Sequence, residues 1–592
     1  MLSGHACDRR CAVLGPGRET ARNDYALPRS WPNPKLRALE TITSAEGLAL
    51  PWVAPTVPWW PLRGAWANVE HEPKLLLFSR FKSTPQSIAA LISLRVEARY
   101  LSRGRYPKAW KARRLQPGPN RHPILALFHP SPFLIDATDP LAYSGPVGSA
   151  RETVRKQLAK AIKALNVEVI KGPGKKSARH KPLWVLLSAL ERMAGHASLT
   201  KAPWKAVAAN DTRLSKLVND WHQERRLDWI SRREFEDLVT AAMASPGVVT
   251  GRALLRHFPD ALAPEHFAET VGLAWHGLRL YLDKPIFWAR LPKGKPVRVL
   301  QHACLDGNLE AVLDEHFWMR RPSLPTRERG LANDLREALG VSTGGFIMHS
   351  VNKERLPKLH IRCHAAVPFG STEKEDRPTR SATNKQPPGR EEEQPPRSDE
   401  IRNAFNSPFW PHVLATTSVG QEGLDFHTWC SRILHWDLCP SPIELEQREG
   451  RIQRFAGLAV RRRLQQLEQG GLLEQAAPAK HSSLWKHVET LANEKYLDRS
   501  GLSPWWVLEG AAVSRFVFNL PQSRDLEKFK LLREQRLIYR LALGQPNQED
   551  LVDFLSKHGS ALADILRPLA LDLSAFARTE EPESPFAKTA QA

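Results

Sequence analysis

The residues with the clearest chemical purpose lie in Leu445–Arg454, which reads Leu-Glu-Gln-Arg-Glu-Gly-Arg-Ile-Gln-Arg. On a continuous helix Gln447, Arg451 and Arg454 share one face, since side chains three and four residues apart stack on it. One amide and two guanidiniums on one face can grip a triphosphate. Arginine suits that task because its planar fork makes paired hydrogen bonds to phosphate oxygens and keeps its charge. Gly450, lacking a Cβ, would let another backbone approach. The simpler reading of such a segment is a solvated basic helix.

Two further segments argue against the simpler reading. Thr416-Thr417-Ser418-Val419-Gly420-Gln421-Glu422-Gly423-Leu424-Asp425-Phe426 directly follows an apolar run. Its hydroxyls and paired glycines suit a loop that touches phosphates through side chains and backbone amides, with Asp425 accepting from a sugar hydroxyl or holding an arginine. The third segment, Lys74–Arg80, is a short apolar run that reads as a buried strand and ends in Ser79 and Arg80.

These three segments resemble motifs IV, V and VI of superfamily 2 helicases, most closely the Swi/Snf-type and related bacterial branch. There motif VI has the pattern seen here as Gln447-Arg448-Glu449-Gly450-Arg451-Ile452-Gln453-Arg454. The matched core covers about 75–145 and 345–460. The resemblance implies a second, C-terminal RecA-like motor lobe with Arg451 and Arg454 as arginine fingers. Gln447, Arg448, Gly450, Gly423 and Asp425 would serve ATP, while Ser79, Arg80, Thr416, Thr417, Ser418 and Gly420 would face nucleic acid.

A motor of this kind holds ATP and Mg2+ between two lobes, and the first supplies a P-loop and an Asp-Glu pair. Gly172-Pro173-Gly174-Lys175-Lys176-Ser177 lacks the P-loop spacing and carries a proline in the turn. Leu313-Asp314-Glu315-His316 falls within helical periodicity and after motif IV, the wrong order for an Asp-Glu box. A separate first-lobe polypeptide carrying the P-loop is therefore the expected protein partner, and DNA, or RNA, the expected nucleic acid. A second cluster favours nucleic acid: Arg103 and Arg105, within a basic run from Arg99 to Arg114, interleave with Tyr106 and Trp110. Cations track phosphates and aromatic rings stack on bases. A charged loop packed on its own protein is the alternative.

The elements that must position these residues follow from periodicity. The fold class expected is α/β: a RecA-like parallel sheet with flanking helices, split by a large α-helical insertion, plus a C-terminal helical region. Residues 1–70 read as a linker and a Pro/Trp-rich clamp, with Trp52, Trp59, Trp60 and Trp66 packing on the following domain. Residues 71–147 form the first part of the lobe, 148–343 the helical insertion, 344–460 the second part, and 461–592 the C-terminal helical region. Ser371–Glu400 has no Val, Ile, Leu, Met or aromatic residue and is expected to be a disordered loop. Strands are expected at His360–Val367, His412–Ser418 and Arg432–Asp437, and a helix over Pro442–Arg454 that Arg461–Arg463 extend.

Composition sets the remaining bounds. The 592 residues carry 85 Lys+Arg against 63 Asp+Glu, a net charge of +22 that favours an anionic partner. The six cysteines show no CxxC pair, so no zinc site is expected and reduced thiols are. No apolar run reaches the length of a membrane span, and the first 25 residues lack the apolar block of a secretory signal, so a cytoplasmic location is expected. Three functions are consistent with this sequence. One is half of an ATP-dependent DNA helicase or translocase. Another is a non-catalytic nucleic-acid-binding or scaffolding protein that kept a motor lobe. In the third the helical insertion is a partner-docking module.

Overall fold

The computed structural model describes residues 30–69, 72–100, 114–142, 147–170, 180–223, 226–323, 330–341, 346–349, 358–361, 363–370, 398–417, 424–468, 471–476, 479–521, 523–541, 547, 550 and 554. Leu75–Ser79 forms strand β1, every residue of which is buried. A continuous apolar run is what a strand covered on both faces of a parallel sheet requires. Two short pairs come next: β2 (Glu168–Ile170) with β3 (Trp229–Ser231) in parallel, and β4 (Phe346–His349) with β5 (Lys358–Ile361) in antiparallel. The remaining strands are β6 (Ala366–Phe369), β7 (Val413–Thr417), β8 (Arg432–His435) and β9 (Ser514–Val517).

The main sheet has the order β6-β7-β1-β8-β9, with all four pairings parallel. In register, Ser79 faces Thr417 and Phe78 faces both Thr416 and His435, so β1, β7 and β8 end at one edge. In open parallel sheets ligands bind beyond that carboxyl edge, where successive strands leave in opposite directions. Here β7 and β6 lie on one side of β1, and β8 and β9 on the other.

The helix Ser83–Tyr100 covers one face of the sheet. Its Ser93 and Ala366 of β6 exchange hydrogen bonds of 3.2 and 3.3 Å, and its Glu97 accepts from the Cys363 amide at 2.9 Å. Lys74, just ahead of β1, is fully buried and donates to the carbonyls of Phe405, Phe409 and Pro411 at 2.6–2.9 Å. Those three bonds fix the loop before β7 to the start of β1.

The described residues between 147 and 341 are mainly helical, and their core is continuous with that of the sheet: one apolar cluster runs from Trp31 through Leu75 and Leu77 to Phe518. The tryptophan-rich segment packs against this helical part. Trp52 Nε1 donates to the Gly307 carbonyl at 2.9 Å, Trp60 Nε1 to Leu305 at 2.7 Å, and Asn308 Oδ1 accepts from the Trp59 and Trp60 amides. A Cβ at Gly307 would meet Trp66 Cε2 at 2.5 Å, so only glycine fits there.

Asp314 and Glu315 hold the fold together. Asp314 pairs with His257 at 2.9 Å and accepts from the Leu484 amide, while Glu315 pairs with Arg461 at 2.7 Å and accepts from the Thr56 amide. No single helix among the described residues is long and apolar enough to cross a membrane.

Four expectations need correction. The expected strand His360–Val367 is split between two sheets, with β5 ending at Ile361 and β6 starting at Ala366. The region after 461 is not all helical, because β9 pairs with β8 and completes the sheet. Ser398–Glu400, assigned to the loop, begins the helix Ser398–Phe405, whereas 371–397 lie outside the described residues. The helix at Pro442 ends at Gly450, and Arg461 belongs to a separate helix, Leu458–Leu467. Glycine is a poor helix former, and beyond it the Arg451 carbonyl accepts from the Phe426 amide at 2.8 Å.

Candidate functional site

The carboxyl edge of the sheet gathers the end of β1, the segment after β7 and the helix after β8. Just past β8, Asp437 is the hub. It accepts from Ser79 Oγ at 2.9 Å and from Lys35 Nζ at 3.3 Å, and its carbonyl accepts from Arg448 Nη1 at 3.0 Å. Ser441 caps the helix Pro442–Gly450 by accepting from the Glu444 amide, and Pro442 occupies its first turn. Both features are favoured at helix starts.

On and just beyond that helix the environments of three arginines diverge. Arg448 is buried, bonds Glu444 at 2.7 Å and lies over the Phe78 ring at 5.2 Å. As folded, its guanidinium is taken up in joining helix to strand and is not presented to a ligand. Gln447 is exposed. Arg451, the residue after the helix, is half-buried and reaches the Leu424 carbonyl at 3.5 Å. Arg454 sits past the following turn and donates from Nε to Asp425 Oδ1 at 2.9 Å. The expected common helical face therefore does not form, because Arg454 is off the helix. A Cβ at Gly450 meets open space, so among the described residues no backbone approaches it.

On the nucleic-acid side, Ser79 and Thr416 are fully buried at their strand ends, and Thr417 is half-buried. The hydroxyls of Ser79 and Thr416 bond within the protein, to Asp437 and to the Thr417 carbonyl. Arg80, Phe81 and Lys82 are exposed where β1 leaves the sheet, and the Phe81 side chain is largely in solvent. A ring between two cations can stack on a base while its neighbours meet phosphates. Ser418, Gly420, Gly423, Arg103, Arg105, Tyr106 and Trp110 lie outside the described residues.

Asp425 and Arg454 also border a cavity of about 610 Å3, together with Asn406, His427, Phe455 and Trp506. Asn406 Nδ2 donates to the Asp425 carbonyl at 2.7 Å. Burial pushes His427 down to about 4, against the pull of Asp425. Burial also pushes His435, at the end of β8, down to about 3, with Arg448 and Arg515 adding to the effect. Both imidazoles are neutral at pH 7.

The fit to ATP and Mg2+ is uneven. Arg454 and Asp425 are each roughly two-fifths exposed, and an exposed pair is worth about 1 kcal/mol or less, so Arg454 can leave Asp425 for a phosphate at small cost. Gln447 is accessible too. For Mg2+, no group of three or more His, Cys, Asp or Glu side chains among the described residues could hold a metal ion.

Comparison with protein-family models, with curated proteins and with solved structures finds no match to this chain.

Sequence reasoning passed over Asp437, Lys35, Phe81 and Lys82. Asp437 had a signal, a carboxylate directly after an apolar strand. Phe81 and Lys82 continue a segment already singled out. Lys35 had none, because its partner lies some 400 residues away in sequence.

Proposed function

We propose that this chain is the C-terminal lobe of an ATP-dependent DNA helicase or translocase, RecA-like in fold and interrupted by its helical part. It works with a first lobe on another polypeptide. The observation that supports this most is the meeting, at one carboxyl edge of a parallel sheet, of the three segments that carry the helicase-like motifs. The Arg451–Arg454 turn is bonded there to Leu424–Phe426. Arg454 supplies charge to phosphate when it leaves Asp425, Gln447 adds an amide donor, and Arg80, Phe81 and Lys82 meet the strand. ATP brings the phosphoryl group to be transferred, and the ligands for its metal come with the first lobe.

The test is a DNA-stimulated ATPase assay of the chain mixed with a candidate first-lobe protein. Activity that needs both proteins and is lost in Arg454→Ala supports the motor. Robust ATPase by the chain alone, or activity of the mixture indifferent to Arg454→Ala and Arg451→Ala, sinks it.

A second reading, the non-catalytic nucleic-acid-binding scaffold, draws on a different observation: Arg448 is committed to Glu444 and the Asp437 carbonyl and so is withheld from any ligand. A scaffold binds DNA with or without nucleotide and does not respond to Arg454→Ala.

A further inference from the structure

The helical part holds a second cavity, of about 590 Å3, whose lining is unlike the first. That volume is in the range of about 300–1,000 Å3 typical of small-ligand sites. Arg121, Arg151, Lys295 and Arg298 line it, with Asp237 the one carboxylate among the lining residues. Asp237 is engaged by His180 at 3.1 Å, and Arg151 by Glu236 and Thr240, both at 2.9 Å. Arg121, Lys295 and Arg298 have no ion pair among the described residues, so the lining carries more positive than negative charge.

The start of the 11-residue helix Pro296–Asp306 lies in the same wall. Lys295 precedes it without a side-chain cap, so the amides of Val297 and Arg298 have no capping acceptor. Free amides and the helix dipole at such a start favour an anion. A separate observation points the same way. Gln301, one turn along, is 7% exposed, lines the cavity and has no hydrogen-bond partner among the described residues. An amide without a protein partner in the cavity wall can bond a ligand acceptor. Pro123, Ile124 and Leu183 give the cavity an apolar wall.

We propose that this cavity is a phosphate-binding site that takes a nucleotide unit, free or within a nucleic-acid strand. The phosphate is held by Arg121, Lys295, Arg298, the helix-start amides and the Gln301 amide, and the sugar and base lie against the apolar wall. This site is separate from the sheet edge, and the proposal does not rest on the motor reading.

The test uses the full chain and needs no ATPase. Anisotropy of a labelled single-stranded oligonucleotide is measured across a salt series, with AMP and inorganic phosphate as competitors. Lys295→Glu/Arg298→Glu is compared with Lys160→Glu/Lys216→Glu, which reverses two exposed charges elsewhere. The cavity pair is expected to weaken binding by about tenfold or more and to lower the salt slope by about 1 to 2, while the remote pair has a much smaller effect. Gln301→Met, which changes no charge, is expected to weaken binding about threefold or more. Displacement of the oligonucleotide by AMP identifies a free nucleotide as the ligand, and failure to displace it identifies a strand. Equal weakening by the two double variants overturns the proposal, as does the lack of binding of all three probes to the wild-type chain. Should Gln301→Met fail to fold, the two double variants, both at exposed positions, still decide the matter.

Discussion

Arg454 donates from Nε to Asp425 Oδ1 across 2.9 Å, holding the turn after the Pro442–Gly450 helix against the segment that follows β7. The neighbouring backbone bond from the Phe426 amide to the Arg451 carbonyl, at 2.8 Å, secures the same junction without any side chain. The side-chain pair is thus redundant for folding and free to exchange partners.

Asp425→Ala should therefore cost little, below about 1 kcal/mol in urea denaturation, because both side chains are substantially exposed. A loss of several kcal/mol would make the pair a structural tie and count against a mobile Arg454. With a competent first lobe, Arg454→Ala should lower the DNA-stimulated rate by about 10³-fold or more, the scale of an arginine finger.

Arg448 and Gln447, given one role by the resemblance, should separate. Arg448→Ala empties a buried guanidinium site between Phe78, Glu444 and the Asp437 carbonyl, and is expected to cost about 2–4 kcal/mol of unfolding free energy. Gln447→Ala, on the exposed side, should stay within about 0.5 kcal/mol. Equal, small effects would show that Arg448 is not the strut described.

In the helical part Glu310 receives Arg252 at 2.6 Å and Arg256 at 2.8 Å, all three being buried. Glu310→Gln leaves two guanidiniums with one buried carboxylate, Asp139, and should destabilise by about 3–5 kcal/mol. Asp139 adds a pH signature: Arg256 and its hydrogen bonds hold its carboxyl below the usual range despite burial. Its contribution is full above the ordinary carboxylate pKa and is lost as the pH falls further. Wild type should therefore exceed Asp139→Asn in stability by a steady margin above about pH 4, and the margin should shrink as the pH falls further.

Buried histidines set a second, milder window. Burial pushes His316 down to about 3, His435 to about 3 and His427 to about 4, against an ordinary value near 6.5. Between those values the unfolded chain binds more protons, so stability is full above about pH 6.5 and falls with acidification, by up to about 1.4 kcal/mol per pH unit for each imidazole. The urea midpoint should decline from pH 7 to pH 5, and His316→Leu should flatten the decline. A flat wild-type profile would mean that these rings are not buried neutral.

The strands of the site were readable because they are short apolar runs between breakers. Leu75–Ser79 is observed as expected, and the expected strands His412–Ser418 and Arg432–Asp437 are observed, trimmed, as Val413–Thr417 and Arg432–His435. The end of the helix at Gly450 was harder to read. Local periodicity continues through Arg454, and what stops the helix is the pull of Phe426 on the Arg451 carbonyl from another segment. β9 was missed for a similar reason, since Ser-Arg-Phe-Val alternates weakly and becomes a strand by pairing with β8.

The α/β character, the apolar strands and the order of the three motif-like segments are written in the chain, because neighbours and hydrophobic periodicity are local properties. What each arginine does depends on the folded arrangement. Arg448, Arg451 and Arg454 are one residue type within seven positions, yet one lies over the Phe78 ring, one reaches the Leu424 carbonyl and one faces Asp425. Burial and partner choice are set by segments far away in the chain. Lys74 follows the same rule: a charge at the start of an apolar run becomes a buried strut because three carbonyls, more than 300 residues further on, converge on it.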